Sequence, residues 1–326
     1  MKITILAAGA WGTALAIAFS ARHQVTLWAR ESDLVDDMRQ RRENVRFLPG
    51  FALPPELALE NELATAGATA EVIIIATPIA GLRPTAQSLA ALGLKTPLLW
   101  ICKGFEVAAG KLPHEVIAEA LPDVPGGMLS GPSFAQEVAA GLPTALTLAS
   151  NDRPFAHDMA LALHGGSLRI YASHDLIGVE VGGAVKNILA IATGICDSLK
   201  LGFNARAALM TRGLAEIARL GVALGAKKET FLGLSGVGDL ILTCTGDLSR
   251  NRRVGQELAS GKSLQQALAD LGHVAEGVPT ALAVHQLAGR LGVDMPITAA
   301  VAALLEGKVS VRDGIGQLLS RDPAEE

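Results

Sequence analysis

The chain has few aromatic residues, few cysteines and no strong excess of charge of either sign. Only 4% of its 326 residues are aromatic, whereas 50% are hydrophobic and 35 are glycine. This composition favours closely packed helices on an α/β sheet and excludes an intrinsically disordered chain. The net charge of -4 gives no general attraction to nucleic acid or to an anionic membrane surface. We therefore expect any anionic ligand to be held by a local group of basic side chains.

Cysteine usage and hydropathy exclude further classes of protein. Cys102, Cys196 and Cys244 are far apart and lack CxxC spacing, so neither a disulfide framework nor a zinc site is predicted. We expect no metal site and a reducing, cytoplasmic location. The apolar run after the N-terminus is broken by Gly9 and Gly12, which is typical of strand, turn and helix rather than a signal peptide. No other apolar run approaches the length of a membrane span, so no stable membrane insertion is expected.

The N-terminal residues have the order that a dinucleotide-binding unit requires. A strand is predicted over Ile3–Leu6, a turn over Gly9–Gly12, a helix over Thr13–Ala21 and a second strand over Val25–Trp28. In this β-α-β arrangement, a glycine turn can hold a pyrophosphate at a helix N-terminus. Gly9 would allow the backbone to approach the phosphates, and Gly12 would allow the helix to pack on the strand. An ordinary turn between a strand and a helix is the alternative.

Two positions near this turn bear on cofactor binding. The first position of the G-x-G-x-x-G fingerprint is Ala7, which is tolerated if its φ is negative and otherwise strains the turn by roughly 1 kcal/mol. Arg30 follows the second strand and suits a ribose 2′-phosphate, although it adjoins Glu31 and could simply be solvated. NADP(H) is therefore the favoured cofactor, with NAD(H) as the other possibility.

Further apolar runs predict a mostly parallel sheet with helices on both faces. These runs cover residues 72–76, 98–101, 127–129, 145–148 and 168–171. Ligands of such sheets bind outside the carboxyl ends of the strands. Polar clusters follow three of the runs, at Thr77-Pro78, at Cys102-Lys103-Gly104 and at 130–135. Lys103 is either a ligand-binding residue or an ordinary exposed loop lysine.

From about Gly178 onward, the pattern changes to helices without clear strands. We place the domain boundary near Val181, giving a dinucleotide-binding domain over 1–180 and an all-helical substrate domain over 181–326. The predicted helices cover residues 204–225, with Asn204 as the cap, and then 263–271, 278–291 and 297–305. There is no internal repeat and no low-complexity linker.

Lys186 stands in a small, apolar, helix-like run, where burial of an unpartnered ammonium group would cost several kcal/mol. On a helix, Gly182 and Gly183 share its flank, so we expect room there for a small molecule beside the amine. The alternative is a lysine whose stem lies on apolar surface while its ammonium group reaches water. Asn187 is either a second polar contact or a surface residue.

A second polar stretch covers residues 234–240 and 249–253. If Ser249 caps a helix, Arg250 and its neighbours crowd the first turn, where the helix dipole disfavours cations. Backbone N–H groups, Arg250 and Asn251 would together hold a phosphate, and the alternative is a solvated basic helix start. Asp239 could orient a lysine, bond to a substrate hydroxyl or cap the next helix.

Together these motifs resemble the bacterial-type NAD(P)-dependent glycerol-3-phosphate dehydrogenases. The resemblance rests on residues 7–16, 102–106, 130–135, 182–187, 236–239, 249–253 and 276–277, in this order over almost the whole chain. It implies a Rossmann-type, mostly parallel sheet domain followed by an all-α C-terminal domain. It also implies reduction of dihydroxyacetone phosphate to sn-glycerol 3-phosphate for glycerophospholipid synthesis. The substitution of Ala7 for the family's first glycine puts cofactor affinity in question.

The resemblance assigns roles to individual residues. Lys186 matches the family's general acid/base. The positions implied for the substrate are Lys103, Gly131, Ser133, Lys186, Asp239, Ser249, Arg250 and Asn251. With the glycine turn included, those implied for the cofactor are Gly9, Ala10, Trp11, Gly12, Arg30, Lys103, Ala135, Arg250, Val274 and Glu276. No metal is required.

The predicted chemistry is hydride transfer to a ketone of a phosphorylated triose. Lys186 would stabilise the negative charge that develops on the carbonyl oxygen and deliver a proton, with Lys103 as a second positive charge. One rival is a dehydrogenase acting on a hydroxyacid or a sugar acid phosphate. Another is a nucleotide-binding sensor without catalytic activity. The helical domain could also provide a homodimer interface.

Overall fold

The computed structural model describes residues 1–272 and 274–319. The chain divides into two compact units. One consists of Met1–Lys103 with Leu112–Val179, and the other of Gly104–Lys111 with the chain from Glu180 onward. The change of unit at Val179 lies next to the boundary expected at Val181. The segment Gly104–Lys111 belongs to the second unit, although it lies within the first half of the chain.

The first unit is built on a sheet. Its strands are β1 (Lys2–Leu6), β2 (Gln24–Trp28), β3 (Glu43–Asn44), β4 (Leu48–Ala52), β5 (Ala58–Glu60), β6 (Val72–Ile75), β7 (Leu98–Trp100), β8 (Gly126–Ser130), β9 (Thr144–Ala149) and β10 (Leu168–Ser173). Within residues 1–179, all of which are described, the main sheet has eight strands in the order β10-β9-β8-β7-β6-β1-β2-β5. β3 and β4 form a separate antiparallel pair that the sequence did not predict.

The prediction of a mostly parallel sheet is confirmed. β1 pairs in parallel with β2 and β6, and β7 pairs in parallel with β6 and β8. The pair β8–β9 is antiparallel. The carboxyl ends of β8, β7, β6, β1 and β2 therefore lie at one edge of the sheet, and the segments that follow them share that edge.

Helices cover both faces of this sheet. They are α1 (Ala10–Ser20), α2 (Ser32–Arg41), α3 (Leu63–Gly67), α4 (Ile79–Ala91), α5 (Pro113–Ala120), α6 (Ala135–Ala139) and α7 (Arg153–Leu163). Strand β6 shows why the apolar runs are continuous. Ile74 lies in the core cluster that contains α1, whereas Ile73 and Ile75 lie in the cluster that contains α4. Both faces of the strand are buried, so no polar alternation appears.

The second unit is helical. Its helices are α8 (Leu176–Ser198, which begins in the first unit), α9 (Gly202–Ala223), α10 (Asp239–Thr245), α11 (Arg250–Ala259), α12 (Leu264–Leu271), α13 (Gly277–Leu291), α14 (Pro296–Leu305) and α15 (Val311–Leu319). A 3-10 turn (Lys228–Leu232) and a π-helical turn (Leu234–Gly238) lie between α9 and α10. The predicted order of domains, a Rossmann-type sheet domain followed by an all-helical domain, is thus confirmed.

Two sequence expectations about these helices were wrong. Asn204 does not cap α9, because the chain turns at Lys200 (φ 56) and Gly202 (φ 91) and the helix begins at Gly202. Helix α8 is long and apolar enough to cross a membrane by length and composition, contrary to the expectation that no further run approaches that length. However, 89% of its apolar window is buried inside the protein, as in the core helix of a folded domain.

Candidate active site

The turn between β1 and α1 has the backbone geometry expected of a dinucleotide-binding turn. Gly9 is the N-cap of α1 with φ -69 and ψ 175. Among the described residues, and apart from its chain neighbours, no atom lies within 4 Å of the Cβ that alanine would add at Gly9. Ala10 and Trp11 form the start of the helix and are half-buried. The turn therefore has an open cradle at Gly9, which fits the close approach of a phosphate group.

Gly12 has the opposite surroundings. A Cβ there would lie 2.2 Å from the carbonyl oxygen of Ala7 and 3.0 Å from the Cβ of Ala76. Only glycine allows α1 to pack this closely on the ends of β1 and β6.

Ala7 adopts the strained conformation. Its φ is 90, so the condition under which alanine would be tolerated, a negative φ, is not met. An L-residue with a side chain pays roughly 1–2 kcal/mol for such a conformation, which glycine adopts freely. Ala7 donates its N–H to the carbonyl of Trp28 at 2.9 Å, which fixes the residue at the sheet edge.

Asn44 contacts the same turn and was missed from sequence. Its Nδ2 donates to the carbonyl of Ala8 and to Oγ1 of Thr13, both at 2.8 Å, and its Oδ1 accepts from the N–H of Phe47 at 3.1 Å. Asn44 is fully buried. No local pattern marks it, because its partners in the turn lie more than thirty residues away in the chain.

Arg30 lies beyond the end of β2, at the edge of the sheet that carries the glycine turn. Its side chain is 83% exposed and pairs with Glu31 at 3.1 Å. An exposed pair of this kind contributes little to stability, so Glu31 holds Arg30 only weakly.

The segments after β7 and β8 meet, as their positions in the sheet require. Nζ of Lys103 lies 3.4 Å from the carbonyl oxygen of Gly131, and Oγ of Ser133 donates to the same oxygen at 3.0 Å. Gly131 has a φ of 138, which disfavours any other residue. Ala135 begins α6, two residues beyond Ser133. Lys103, Gly131, Ser133 and Ala135 thus form one group in the first unit.

Lys186 lies in α8 and is buried, with 6% of its surface exposed. Its ammonium group donates hydrogen bonds to the carboxylate of Asp239 and, at 2.7 Å, to Oγ1 of Thr243. The Thr243 hydroxyl donates in turn to the carbonyl of Asp239 at 2.6 Å. The alternative of a lysine reaching into water is therefore excluded. Thr243 was missed from sequence, although its spacing of four from Asp239 places both on one helix face.

The flank of Lys186 is closely packed at Gly182. A Cβ at Gly182 would lie 2.3 Å from the carbonyl oxygen of Ser235, so the π-helical turn fills that space. The expected room for a small molecule is therefore absent at Gly182. The glycine instead permits close packing of α8 against the turn from which α10 and Asp239 begin.

Cys244 follows Thr243 and is fully buried. Burial raises the pKa of its thiol to about 12, while a hydrogen bond with Thr193 and the charge of Lys186 act in the opposite direction. The thiol is therefore protonated at neutral pH and is not a nucleophile.

Ser249 caps α11 as predicted, accepting a hydrogen bond from the N–H of Arg252 at 3.3 Å. The arginines in the first turn have different surroundings. Arg252 pairs with Asp197 at 2.8 Å and with Asp247 at 2.9 Å, whereas Arg253 is exposed. Arg252 is therefore already neutralised within the unit.

Arg250 is exposed at the start of α11. Desolvation lowers the pKa of Arg250, and the charge of Glu276 acts in the opposite direction. Glu276 is the N-cap residue of α13. Val274, two residues earlier, is 50% exposed in the loop before that helix. A partly desolvated cation at a helix N-terminus is a favourable place for an anion.

Asn187 and Asn251 connect the lysine and arginine positions. Nδ2 of Asn251 donates to Oδ1 of Asn187 at 3.0 Å, and Oδ1 of Asn251 accepts from the N–H of Gly277 at 2.9 Å. Both asparagines are buried. The neighbours of Lys186, Arg250 and Glu276 are thus joined directly, so these three helices share one polar network. Asn187 is a buried contact of this network rather than a surface residue.

Two family models and two relatives that match this chain all carry the description of a glycerol-3-phosphate dehydrogenase. Residues 2–156 match the family model of the NAD-dependent glycerol-3-phosphate dehydrogenase N-terminus, and residues 175–316 match that of the C-terminus. The chain is 64% identical over 327 residues to a glycerol-3-phosphate dehydrogenase [NAD(P)+] of Dechloromonas aromatica (strain RCB), covering 100% of this chain and 99% of that protein. It is 57% identical over 330 residues to the protein of that name from Herminiimonas arsenicoxydans, with the same shares covered.

Among solved structures, a crystal structure of glycerol-3-phosphate dehydrogenase from Coxiella burnetii is similar over both units. Its TM-score is 0.94 at 44% sequence identity, covering 98% of this chain and 99% of that chain.

Proposed function

The chain belongs to the NAD-dependent glycerol-3-phosphate dehydrogenase family and is an NAD(P)-dependent oxidoreductase; from this premise we propose that it reduces dihydroxyacetone phosphate to sn-glycerol 3-phosphate, with Lys186 as general acid/base. The reaction is reversible, and its product would enter glycerophospholipid synthesis in the cytoplasm.

The observation that carries the proposal is the buried Lys186. Lys186 is only 6% exposed, and its ammonium group is held by Asp239 and, at 2.7 Å, by Thr243. Burial of a charge requires such partners, and a charge fixed by two partners needs little reorganisation when a substrate becomes charged. Lys186 would donate a proton to the ketone oxygen as negative charge develops there. In the reverse direction, the neutral amine would accept that proton from the alcohol.

The cofactor supplies the hydride when it is bound. The residues of the first unit fit a dinucleotide because Gly9 leaves an open cradle at the N-terminus of α1. In this proposal Ala10, Trp11 and Gly12 complete the turn, and Ala135 also contacts the cofactor. In the second unit, Val274, Glu276 and Arg250 do so. The exposed Arg30 would bind a 2′-phosphate, which favours NADPH over NADH.

Ser249, Arg250 and Asn251 would bind the substrate phosphate. The N-terminus of α11 and the desolvated guanidinium of Arg250 both favour an anion. Asn251 uses one amide hydrogen for Asn187, and the amide group carries a second. Lys103, Gly131 and Ser133 would contribute further contacts to the triose. Phosphate binding would orient the ketone and so convert binding energy into rate.

An absorbance assay tests the proposal. Purified protein is mixed with dihydroxyacetone phosphate and either NADPH or NADH, and then with unphosphorylated dihydroxyacetone. We expect oxidation of both cofactors with the phosphorylated triose, a lower KM for NADPH, and little turnover without the phosphate. The assay is repeated with NADP+ and NAD+ and a hydroxyacid or a sugar acid phosphate, and reduction of the cofactor by one of these compounds instead would assign a different substrate. NADPH binding without turnover of any of these compounds would indicate a sensor, and size-exclusion chromatography would decide whether the chain is a homodimer.

A further inference from the structure

Asn44 is the only described side chain outside the glycine turn that hydrogen-bonds to both ends of it in the structure. One Nδ2 hydrogen bond reaches the carbonyl of Ala8, before Gly9, and the other reaches Oγ1 of Thr13, in the first turns of α1. We propose that Asn44 is a positioning residue for the cofactor: it holds the strained Ala7–Ala8 backbone in the conformation that presents Gly9 to the pyrophosphate. This inference rests on the proposed function, since it assumes that the cofactor binds at the turn.

The strain explains why this turn needs an additional constraint. At φ 90, Ala7 is in a region that alanine rarely adopts, so its backbone tends to rotate towards negative φ. Rotation at Ala7 would move the Ala8 carbonyl, and with it the peptide that leads into Gly9. The Asn44 amide binds that carbonyl at 2.8 Å and opposes the rotation. In a turn with glycine at position 7, the same conformation would carry no steric penalty.

Asn44 is itself fixed. Its Oδ1 accepts from the N–H of Phe47 at 3.1 Å, and the residue is fully buried in strand β3. Arg42, immediately before this strand, ends α2 in the left-handed conformation with φ 50, and its carbonyl accepts from the N–H of Leu53 at 2.7 Å. Phe47 and Phe51, from the same hairpin, pack against the core cluster that contains α1. Packing and hydrogen bonds thus hold the β3–β4 hairpin in place, and the Asn44 side chain extends from it to the glycine turn.

The chemistry of Asn44 suits this task. Its amide group carries two hydrogens at fixed geometry, and both acceptors lie at 2.8 Å. Removal of the amide leaves two buried acceptors without these donors, which is costly enough to alter the turn. A serine or threonine hydroxyl has one hydrogen and could not bond to both acceptors.

The first experiment establishes where the cofactor binds. NADPH dissociation constants are measured by fluorescence titration for the wild-type protein and for Gly9→Ala. Wild-type binding that Gly9→Ala weakens by about tenfold or more would support the turn as the cofactor site. If the wild-type protein does not bind NADPH, or if Gly9→Ala binds it equally well, the proposed function fails at this site and the inference about Asn44 fails with it.

The second experiment tests Asn44 alone. We expect Asn44→Ala to raise the NADPH Kd and the KM for NADPH by roughly tenfold. The KM for dihydroxyacetone phosphate, measured at saturating NADPH, should stay within about twofold, as should kcat. A general loss of stability would not separate the two KM values. Thr4→Val is the matched control, because it removes a buried hydrogen bond of the same unit, from Thr4 to the Ala66 carbonyl, away from the turn.

A double-mutant cycle identifies the mechanism. If Asn44 opposes strain at Ala7, Asn44→Ala should weaken NADPH binding less in the Ala7→Gly background than in the wild-type protein. Equal losses in the two backgrounds would overturn the link to strain. NADPH affinity unchanged by Asn44→Ala would overturn the proposal while leaving the cofactor site at the turn. If Asn44→Ala does not fold, Asn44→Asp keeps the size of the side chain but has no amide hydrogens for the Ala8 carbonyl or Thr13, and unchanged NADPH affinity in that variant overturns the proposal equally.

Discussion

The carbonyl oxygen of Ala7 lies 2.2 Å from the position that a Cβ would occupy at Gly12. This contact and the open space at Gly9 give the two glycines of one turn opposite roles. Gly12 is required by the fold, because α1 could not pack on β1 with any side chain there. A Cβ at Gly9 would meet no such contact, which agrees with the proposed approach of the cofactor's phosphates to this residue.

Alanine substitutions should separate these roles. Gly9→Ala should unfold at the wild-type denaturant midpoint but bind NADPH at least about tenfold more weakly, because its methyl group enters the cradle. Gly12→Ala should lower the free energy of unfolding by about 2 kcal/mol or more through overpacking. Denaturant unfolding and NADPH titration of both variants check this prediction. Loss of stability in Gly9→Ala, with NADPH affinity per folded molecule intact, would contradict it.

Ala7→Gly should stabilise the protein. The substitution removes the penalty of a positive φ and adds the greater chain entropy of glycine in the unfolded state, so a net gain of about 1 kcal/mol is expected. Ala7 lies in the first unit. If the two units unfold separately, the unfolding transition of this sheet unit should therefore be followed. Ala8→Gly is the matched control, since Ala8 has no positive φ and its substitution should destabilise. A loss of stability in Ala7→Gly would show that φ at position 7 is not a source of strain.

Glu216 gives the second unit a pH-dependent stability. This buried carboxyl accepts hydrogen bonds from the N–H groups of Ile297 and Thr298, at 2.6 and 3.1 Å, at the start of α14. Desolvation nevertheless raises the pKa of Glu216 above its ordinary value of 4.5, and these hydrogen bonds only partly oppose it. The folded state therefore binds more protons than the unfolded state above pH 4.5, and this contribution to stability is lost as pH rises through the folded pKa.

The test is the difference between two pH profiles. Denaturant midpoints are measured from acidic to neutral pH for the wild-type protein and for Glu216→Gln, whose side chain cannot titrate. The wild-type midpoint, relative to that of the variant, should fall as pH rises. A relative midpoint that rises over this range would mean that the hydrogen bonds outweigh burial and that the pKa is lowered.

Arg250→Ala should reduce the enzyme's preference for a phosphorylated substrate. The wild-type ratio of kcat/KM for dihydroxyacetone phosphate to that for dihydroxyacetone should fall by roughly 10–100-fold, because a charge-assisted contact to the phosphate is lost. Arg253→Ala, three residues further along α11 and exposed, is the matched control and should leave the ratio unchanged. An unchanged ratio in Arg250→Ala would remove this guanidinium from the phosphate site.

The sequence predicts those parts of the fold that depend on local pattern. The sheet follows from continuous apolar runs such as β6, and the cap of α11 follows from Ser249. The pairing of Asp239 with Lys186 was one of three alternatives, since a carboxylate at a helix start has several local uses.

Contacts between distant residues could not be predicted in this way. Asn44 and Glu216 reach partners 31 or more residues away, and nothing in their neighbouring residues marks them. The sign of φ at Ala7 depends on how the turn packs under Gly12. The sequence therefore predicted only that alanine would be tolerated at a negative φ and strained at a positive one. At Gly182, small size indicated free space, whereas the structure uses it for close packing of a second backbone.

The role of Lys186 is the central claim, and turnover of Lys186 variants tests it most directly. Lys186→Arg keeps a positive charge beside Asp239 but holds its proton too tightly to deliver it, and Lys186→Ala removes the charge as well. Lys228→Ala, an exposed lysine of the same unit, is the control. We predict that kcat falls by about 10²–10⁴-fold in both Lys186 variants while NADPH still binds. A kcat close to that of the wild-type protein in Lys186→Ala would contradict the account.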